Sequence, residues 1–537
     1  MEISQVDVLV VGAGAAGLRA AIEAAKEGSG VLVLCKGAPG GGTSTVLSGG
    51  VFRGASQGKD PGSHRLDTLR AGRGLNKIAL VEILVQESPV RLQELLDWGL
   101  QGETRGGFLF ASGAAPVWGK PILECLMAKA RQAGVRFMGS TMLASICPTE
   151  AGLGALAYRI KDGKWLALRC KALILATGGA AALFARHDNP QGMLGQGHCL
   201  ALEAGAELQD MEFVQFYPLG LAEPGLPSLL IPPRLADKGV LSNGQGEDIL
   251  LKYGILERPA AERARDKLSQ AIFSELREQG EVWLDLRGVS KKDWMEDPLS
   301  ASSVHLLGER FGGFRRPLRV APMAHFLMGG INTEEHGATG VPGLFAAGEA
   351  AGGLHGANRL GGNALAETLV FGARAGRGAA MWAQEAKKLQ DVGPLLEKAL
   401  QRLLFSSGRS SAAGPRDGLE RLRKCMWEKG GILRNRQGLQ DALALLGGSG
   451  WDPELLPDSS QPQELTRRLE LRMGIRTAVL ILKAALRREE SRGAHFREDF
   501  PEQDDRNWLG HLKVKLDKEG SENWSFEPVV HWESSGP

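Results

Sequence analysis

Residues able to do chemistry gather in the stretch GLHGANRLGGNALAETLVFG, Gly353 to Gly372. One arginine, Arg359, stands there between two glycine clusters, just ahead of a segment that reads as a helix. A guanidinium among such small residues is costly to desolvate unless an anion meets it. The expected chemistry is recognition of an acidic group.

A second stretch, VDVLVVGAGAAGLRAAIEAAKEGSGVLVLCKG, points to a different ligand. An apolar strand, Val6 to Val11, runs into Gly12, Gly14 and Gly17, then an alanine-rich helix opening at Ala15 and Ala16, then a second strand, Val31 to Leu34. The first two glycines permit a tight turn and close approach of backbone to a pyrophosphate. The third lets the helix pack against the strand, and the helix N-terminus adds its dipole. A bound dinucleotide is expected. The acidic residue that ordinarily follows the second strand, to hold the ribose hydroxyls, is replaced by Cys35-Lys36.

Two later pieces read as returns to the same sheet: KALILATGGAAALF, Lys171 to Phe184, and GVPGLFAAGEAAGG, Gly340 to Gly353. Each is a short apolar strand ending in glycine, the pattern found where backbone meets a nucleotide. They set Ala176, Thr177, Gly178 and Glu349 beside it. Residues 212–320 lie between them, with the proline-rich turns of AEPGLPSLLIPPR and a helix-like run from Pro259 to Gln279. This insertion reads as a capping domain. From about Ala386 the chain turns helical: Leu465, Leu469 and Met473 recur every four residues, and the loop GGSGWDPELLPDSSQP, Gly447 to Pro462, interrupts. The fold expected is α/β: a split Rossmann-type domain (1–211 and 321–385), an inserted α+β cap (212–320) and a C-terminal helical domain (386–537).

Bulk composition narrows the function. At 537 residues, with 43% hydrophobic and 23% charged, the chain has ample core for two or three packed domains. Lys plus Arg (64) nearly balances Asp plus Glu (62), which argues against an electrostatic grip on nucleic acid or a membrane surface. Glu2 and Asp7 interrupt any secretory signal and no apolar run spans a bilayer, so the chain reads as cytoplasmic. The six cysteines include no Cys-x-x-Cys pair, so neither a metal site nor an iron–sulfur cluster is expected within the chain.

The order of GAGAAG, GGGTSTVLSGG, ATGGAAALF, MEFVQF, RDKLSQAI, MAHFLMGGI, GLFAAGEAAGGLHGANRLGGNAL and ESRGAHFREDFP resembles that of the flavoprotein subunit of succinate dehydrogenase and fumarate reductase. That family includes L-aspartate oxidase, and the similarity covers almost the whole length. It implies FAD, held in the split domain beneath a mobile cap. Cys35-Lys36 then stands where the family commonly has Ser-Lys, with Lys36 beside the adenosine ribose or its phosphates. Thr43, Ser44, Gly49 and Gly50 belong to the GGGTSTVLSGG flavin segment. Glu349 fits an acceptor for a ribityl hydroxyl, and Gln196 replaces an aspartate near the flavin amide. Asn363, Ala364 and Leu365 open a helix whose N–H groups could face the flavin's pyrimidine edge. Membrane-bound relatives carry a histidine, bonded covalently to the flavin, at the place of Thr43; dissociable FAD is expected here.

The resemblance also implies a reaction: hydride exchange between flavin N5 and one carbon, with proton transfer at its neighbour. Arg359 and His325 look like carboxylate-binding residues, and Arg265 like the proton-donating arginine, which needs a relay to re-protonate it. His495 and Arg497 look structural or interfacial. The pocket departs from the family pattern. QFHPT reads QFYPLGL, placing Tyr217 and Leu219 where a histidine and a threonine are usual, and a Thr-Glu pair reads Pro232-Pro233, which offers no side-chain donor or acceptor. Arg234, Asp237 or Lys238 are candidates to restore the relay. The expected substrate therefore has one carboxylate or carbonyl beside its C=C or CH–CH bond and is not a simple dicarboxylate, with Tyr217 and Leu219 expected to line the pocket at its less polar end. Two alternatives stand beside this: an amino-acid oxidase like L-aspartate oxidase, and a flavin electron-transfer subunit with a decayed substrate pocket. Electrons must pass to or from a partner, an iron–sulfur subunit by resemblance, or a quinone, a soluble carrier or oxygen.

Overall fold

The computed structural model describes residues 3–54, 61–386, 389–404, 414–448 and 461–529. Most of the loop expected from Gly447 to Pro462 lies outside the described residues.

The central sheet has seven strands. Ile3–Val11 runs parallel to Val31–Leu34 on one side and to Lys164–Leu175 on the other, with Val8 opposite both Val31 and Ala172. Near-continuous apolar runs in these strands fit a parallel sheet covered on both faces. Leu344–Ala346 returns from far along the chain to lie parallel against Leu173–Leu175, so one sheet is closed by two sequence halves. Helices Ala15–Lys26 and Asn363–Glu385 pack closely on one face. A Cβ at Gly376 would fall 2.3 Å from the Ala20 carbonyl oxygen, so only glycine permits that contact.

The insertion forms a four-stranded antiparallel sheet, in the order Val214–Leu221, Leu318–Leu327, Val282–Asp285, Val240–Asn243. Leu235, Leu268, Ile272, Leu284 and Leu318 form its own apolar core. The helical run expected from Pro259 to Gln279 is two helices, Ala260–Arg263 and Arg265–Gln279. Ala264 breaks it at φ −121°, ψ 31°, so the second helix starts on Arg265. Strand Leu318–Leu327 passes through residue 320 without a break, and His325 lies at an irregularity in its pairing with Val214–Leu221, between the Phe216–Ala324 and Gln215–Phe326 pairs.

Among the described residues, helices Gly393–Leu404, Pro415–Lys429, Arg436–Gly447 and Pro462–Arg487 follow, with a single turn at Asp505–Trp508 beyond them. Leu465, Leu469 and Met473 are buried, as their spacing requires. The described chain does not end on helices. The hairpin Gly510–Leu516 and Glu522–Pro528 joins Leu208–Gln209 and Gly330–Ile331 in a third sheet. Its signal is the alternation in HLKVKL, whose Leu512 and Val514 are buried. His495 and Arg497 are wholly buried: His495 Nδ1 lies 2.7 Å from Arg434 Nη1, and Arg497 donates to Asp499 and to the Ala485 carbonyl.

Candidate active site

One cavity of about 2080 Å³ runs from the carboxyl ends of the parallel strands to the underside of the cap. This is where open α/β sheets place their ligands.

At the sheet end, Gly12 adopts φ +114°, and a Cβ there would sit 2.1 Å from the Ala176 carbonyl oxygen. Gly17 does not line the cavity; its missing Cβ makes room for the Gly12 carbonyl, 2.0 Å away. Gly14 is different. A Cβ there would meet protein only at 3.5 Å, so no protein contact demands glycine, whereas a closely approaching pyrophosphate does. The helix that follows has no side-chain cap, and Ala15 N donates to Thr45 Oγ1 at 3.0 Å. Ala16, Thr43, Ser44, Gly49, Ala176, Thr177 and Gly178 also line the space. The buried hydroxyls of Thr43 and Thr177 have no hydrogen-bond partner among the described residues, as a polar ligand would require. These features fit a dinucleotide.

Other expected contacts divide. Cys35 lines the cavity as a thiol, its pKa pushed up to about 11 by burial. Lys36 Nζ donates to the Gly192 carbonyl at 2.8 Å and pairs with Glu470 at 2.5 Å. Gln196 lines the cavity and donates to the Gly192 carbonyl at 2.9 Å. Glu349 accepts from Leu327 N at 3.1 Å, and burial raises its carboxyl to about 7. Ala364 and Leu365 face the cavity at the start of Asn363–Glu385, after Gly362 in a left-handed turn. Asn363 does not: its side chain turns inward to His64 Nε2 (2.8 Å) and Thr68 Oγ1 (3.0 Å) and so anchors the helix start. Gly50 likewise turns the chain at φ +66°, beside the Trp118 carbonyl, outside the lining.

Under the cap the charges converge. Arg359 is buried over the Phe326 ring at 4.6 Å; Nη2 donates to Gln215 Oε1 at 3.0 Å, while Nε has no partner among the described residues. Burial, with Arg265 nearby, pulls its pKa down to about 9. Arg265 heads a helix whose N-terminus already favours anions, and its buried Nη1 is also without a partner among the described residues. Its Nη2 lies 3.8 Å from where a Cβ of Gly361 would be, so it abuts the Arg359 loop. Two desolvated guanidiniums facing one cavity make a strong site for an anion. His325 Nδ1 is 2.7 Å from Asp188 Oδ2, and burial nevertheless lowers its pKa, favouring the neutral ring.

The altered positions have clear structural meanings. Tyr217 lines the cavity, but its hydroxyl donates to the Ile231 carbonyl at 2.6 Å and has no proton left for a substrate. Leu219 does not line it and packs in the cap core. Leu230, Ile231, Pro232 and Pro233 form the wall instead. Of the expected relay replacements, Arg234 pairs with Glu296, Lys238 with Asp293 and Glu296, and Asp237 accepts from Ala260 N at 3.0 Å. None is seen bonded to Arg265.

Sequence reasoning missed Asp188, Gln215, Phe326, Asn358 and Asp266. Asn358 Nδ2 donates to Asp266 Oδ2 at 2.6 Å, and Gln215 Nε2 donates to Asn358 Oδ1 at 2.6 Å. This network ties the helix start at Arg265 to the loop of Arg359. The signals were present: Gln215 and Asp266 lie inside quoted motifs, and Asp188-Asn189-Pro190 is a turn sequence.

A sequence profile described as FAD binding domain matches residues 7–365, and one described as Fumarate reductase flavoprotein C-term matches residues 419–534. The chain is 34% identical to a CoM/CoB fumarate reductase polypeptide of Methanothermobacter marburgensis, over 93% of this chain and 95% of that one. It is 33% identical to L-aspartate oxidase of a Nostoc species, over 98% and 95%. Among solved structures, an E. coli quinol fumarate reductase FrdA superposes with a TM-score of 0.89 at 29% identity, covering 100% of this chain and 99% of the other. The glycine turn, its orphaned hydroxyls and the paired arginines therefore belong to a FAD-dependent oxidoreductase, and the chain is a member of the succinate dehydrogenase and fumarate reductase flavoprotein family.

Proposed function

We propose that the protein reduces, or in reverse forms, the carbon–carbon double bond beside a single carboxylate or carbonyl. The observation that carries this is the pair Arg359 and Arg265, buried, with orphaned N–H groups, opposite a wall of Leu230, Ile231, Pro232 and Pro233. FAD, when bound, supplies the site that gives or takes the hydride. Arg359 holds the substrate's carboxylate and draws electron density from the adjoining double bond, which makes the β-carbon electrophilic. His325, fixed by Asp188, hydrogen-bonds the same group. Arg265 gives the proton to the α-carbon, and Asp266, lining the same cavity beside it, returns one. Trp118 and residues of the cap line the same cavity.

The names of the relatives, fumarate reductase and L-aspartate oxidase, denote substrates with two carboxylates. Here a second carboxylate would meet prolines and aliphatic side chains. An unpaired buried carboxylate costs several kcal/mol, on the order of a thousandfold in affinity. Steady-state rates with reduced dye across a panel of 2-enoates test this: enoates with one carboxylate and an apolar β-substituent should be preferred, and a clear preference for fumarate refutes the reading. Similarity to L-aspartate oxidase supports a second reading, oxidation of an amino acid, for which hydrogen peroxide on adding L-aspartate is the diagnostic product. The Methanothermobacter relative is named as one component of its fumarate reductase. We infer that this chain likewise exchanges electrons with a partner protein, an iron–sulfur protein being the class the family suggests. No described helix is long and apolar enough to cross a membrane.

A further inference from the structure

The glycine turn directs a dinucleotide's ribose towards the end of strand Val31–Leu34, where an acid ordinarily accepts its two hydroxyls. This chain has Cys35-Lys36 there, and neither can serve as that acceptor: the thiol is protonated and the ammonium only donates. A carboxylate reaches the same place from a different part of the chain. Glu470, on helix Pro462–Arg487, sets Oε1 2.5 Å from Lys36 Nζ; its side chain is 18% exposed and lines the cavity. Oε2 carries no hydrogen bond among the described residues.

The surroundings fix this carboxylate. Its helix neighbours Leu469 and Leu471 are buried in the main core. The strap before Gln196 passes so close that a Cβ on Gly192 would lie 2.7 Å from Lys36 Nζ and 3.0 Å from Glu470 Oε1. C-terminal helices grip that strap: Arg423 donates to the Gln191 carbonyl at 2.8 Å and Thr477 to the Gly195 carbonyl at 3.1 Å. Met142 and Leu143, both lining the cavity, give an apolar wall for a base next to this point.

We propose that Glu470 accepts the adenosine ribose hydroxyls of FAD in place of the acid missing after Val31–Leu34, with Lys36 holding its carboxylate in position. The C-terminal helical segment is then part of the cofactor site, and loading FAD fastens it to the nucleotide-binding sheet.

The test is flavin affinity, read by quenching of flavin fluorescence on full-length protein stripped of cofactor. FMN lacks the adenosine half and is the control. Glu470→Gln should weaken FAD binding roughly tenfold to a hundredfold and leave FMN binding unchanged. Unchanged FAD affinity overturns the proposal. So does an equal loss for FAD and FMN, which would make the Lys36–Glu470 pair a scaffold contact. Should the variant not fold, FAD built on 2′,3′-dideoxyadenosine decides on the wild-type protein: it must bind more weakly by a similar factor, and equal affinity refutes the assignment.

Discussion

The carboxamide of Gln215 holds Arg359 at two points: Oε1 accepts from Nη2 at 3.0 Å, and Nε2 donates to the Arg359 carbonyl at 2.9 Å. A strand of the cap sheet therefore sets both the backbone and the guanidinium of the residue proposed to hold the substrate's carboxylate. Gln215→Leu keeps the volume and removes both bonds, along with the one from Nε2 to Asn358 Oδ1. It should raise KM roughly tenfold to a hundredfold through loss of a hydrogen bond to a charged group, while the affinity for FAD stays as in wild type. Parallel measurement of kcat, KM and flavin binding checks this.

Arg265 and Asp266 are assigned to proton transfer, so their loss should appear in kcat. Arg265→Gln is expected to lower kcat by about 10²–10⁴, the range of general acid catalysis, with a much smaller change in KM. Asp266→Asn, which keeps an acceptor for Asn358, should lower kcat less and enlarge the solvent isotope effect by slowing return of the proton. A rise in KM alone would place both residues in binding.

Glu349 gives a prediction whose sign follows from linkage. Burial raises its carboxyl from 4.5 to about 7 in the folded protein. The folded state binds more protons than the unfolded one between those values, so this group's contribution to stability falls as pH rises through the window. Above pH 7 the penalty is roughly 3 kcal/mol. Glu349→Gln keeps the acceptor for Leu327 N and removes the charge. In protein stripped of flavin it should raise the unfolding midpoint more at pH 8 than at pH 5, while in FAD titrations the same change weakens binding.

Much of this was legible because the signals are local. Gly12, Gly14 and Gly17 sit within one strand-turn-helix unit, and the four-residue spacing of Leu465, Leu469 and Met473 reports one helix face. Arg359 stood out because a lone cation among glycines needs an explanation. What sequence could not give was any contact between distant segments. Asp188 and His325, or Lys36 and Glu470, are brought together by tertiary packing, and each is unremarkable where it stands in the chain. Tyr217 lines the cavity, as its place in QFYPLGL implied, but only the fold shows its hydroxyl committed to the Ile231 carbonyl. Asn363 opens the expected helix, whereas the inward bonds of its side chain to His64 and Thr68 come from distant segments and have no local signal.

The side chains facing the cavity also bear on how the cofactor should be held. A covalent flavin link needs a strong nucleophile at the ring, and Thr43, Cys35, Tyr217, His325 and His495 are poorly suited to that role. Thr43 has only a weakly acidic hydroxyl, the Cys35 thiol is held protonated by burial, and the Tyr217 hydroxyl is bonded to Ile231. Of the imidazoles on the wall, His325 is bound to Asp188, and His495 lies against the Arg434 guanidinium, its basicity depressed by burial. Trichloroacetic acid should therefore release the yellow colour into the supernatant. Flavin fluorescence left on the protein band after denaturing electrophoresis would show that one of these groups had reacted, and peptide mapping would then identify it.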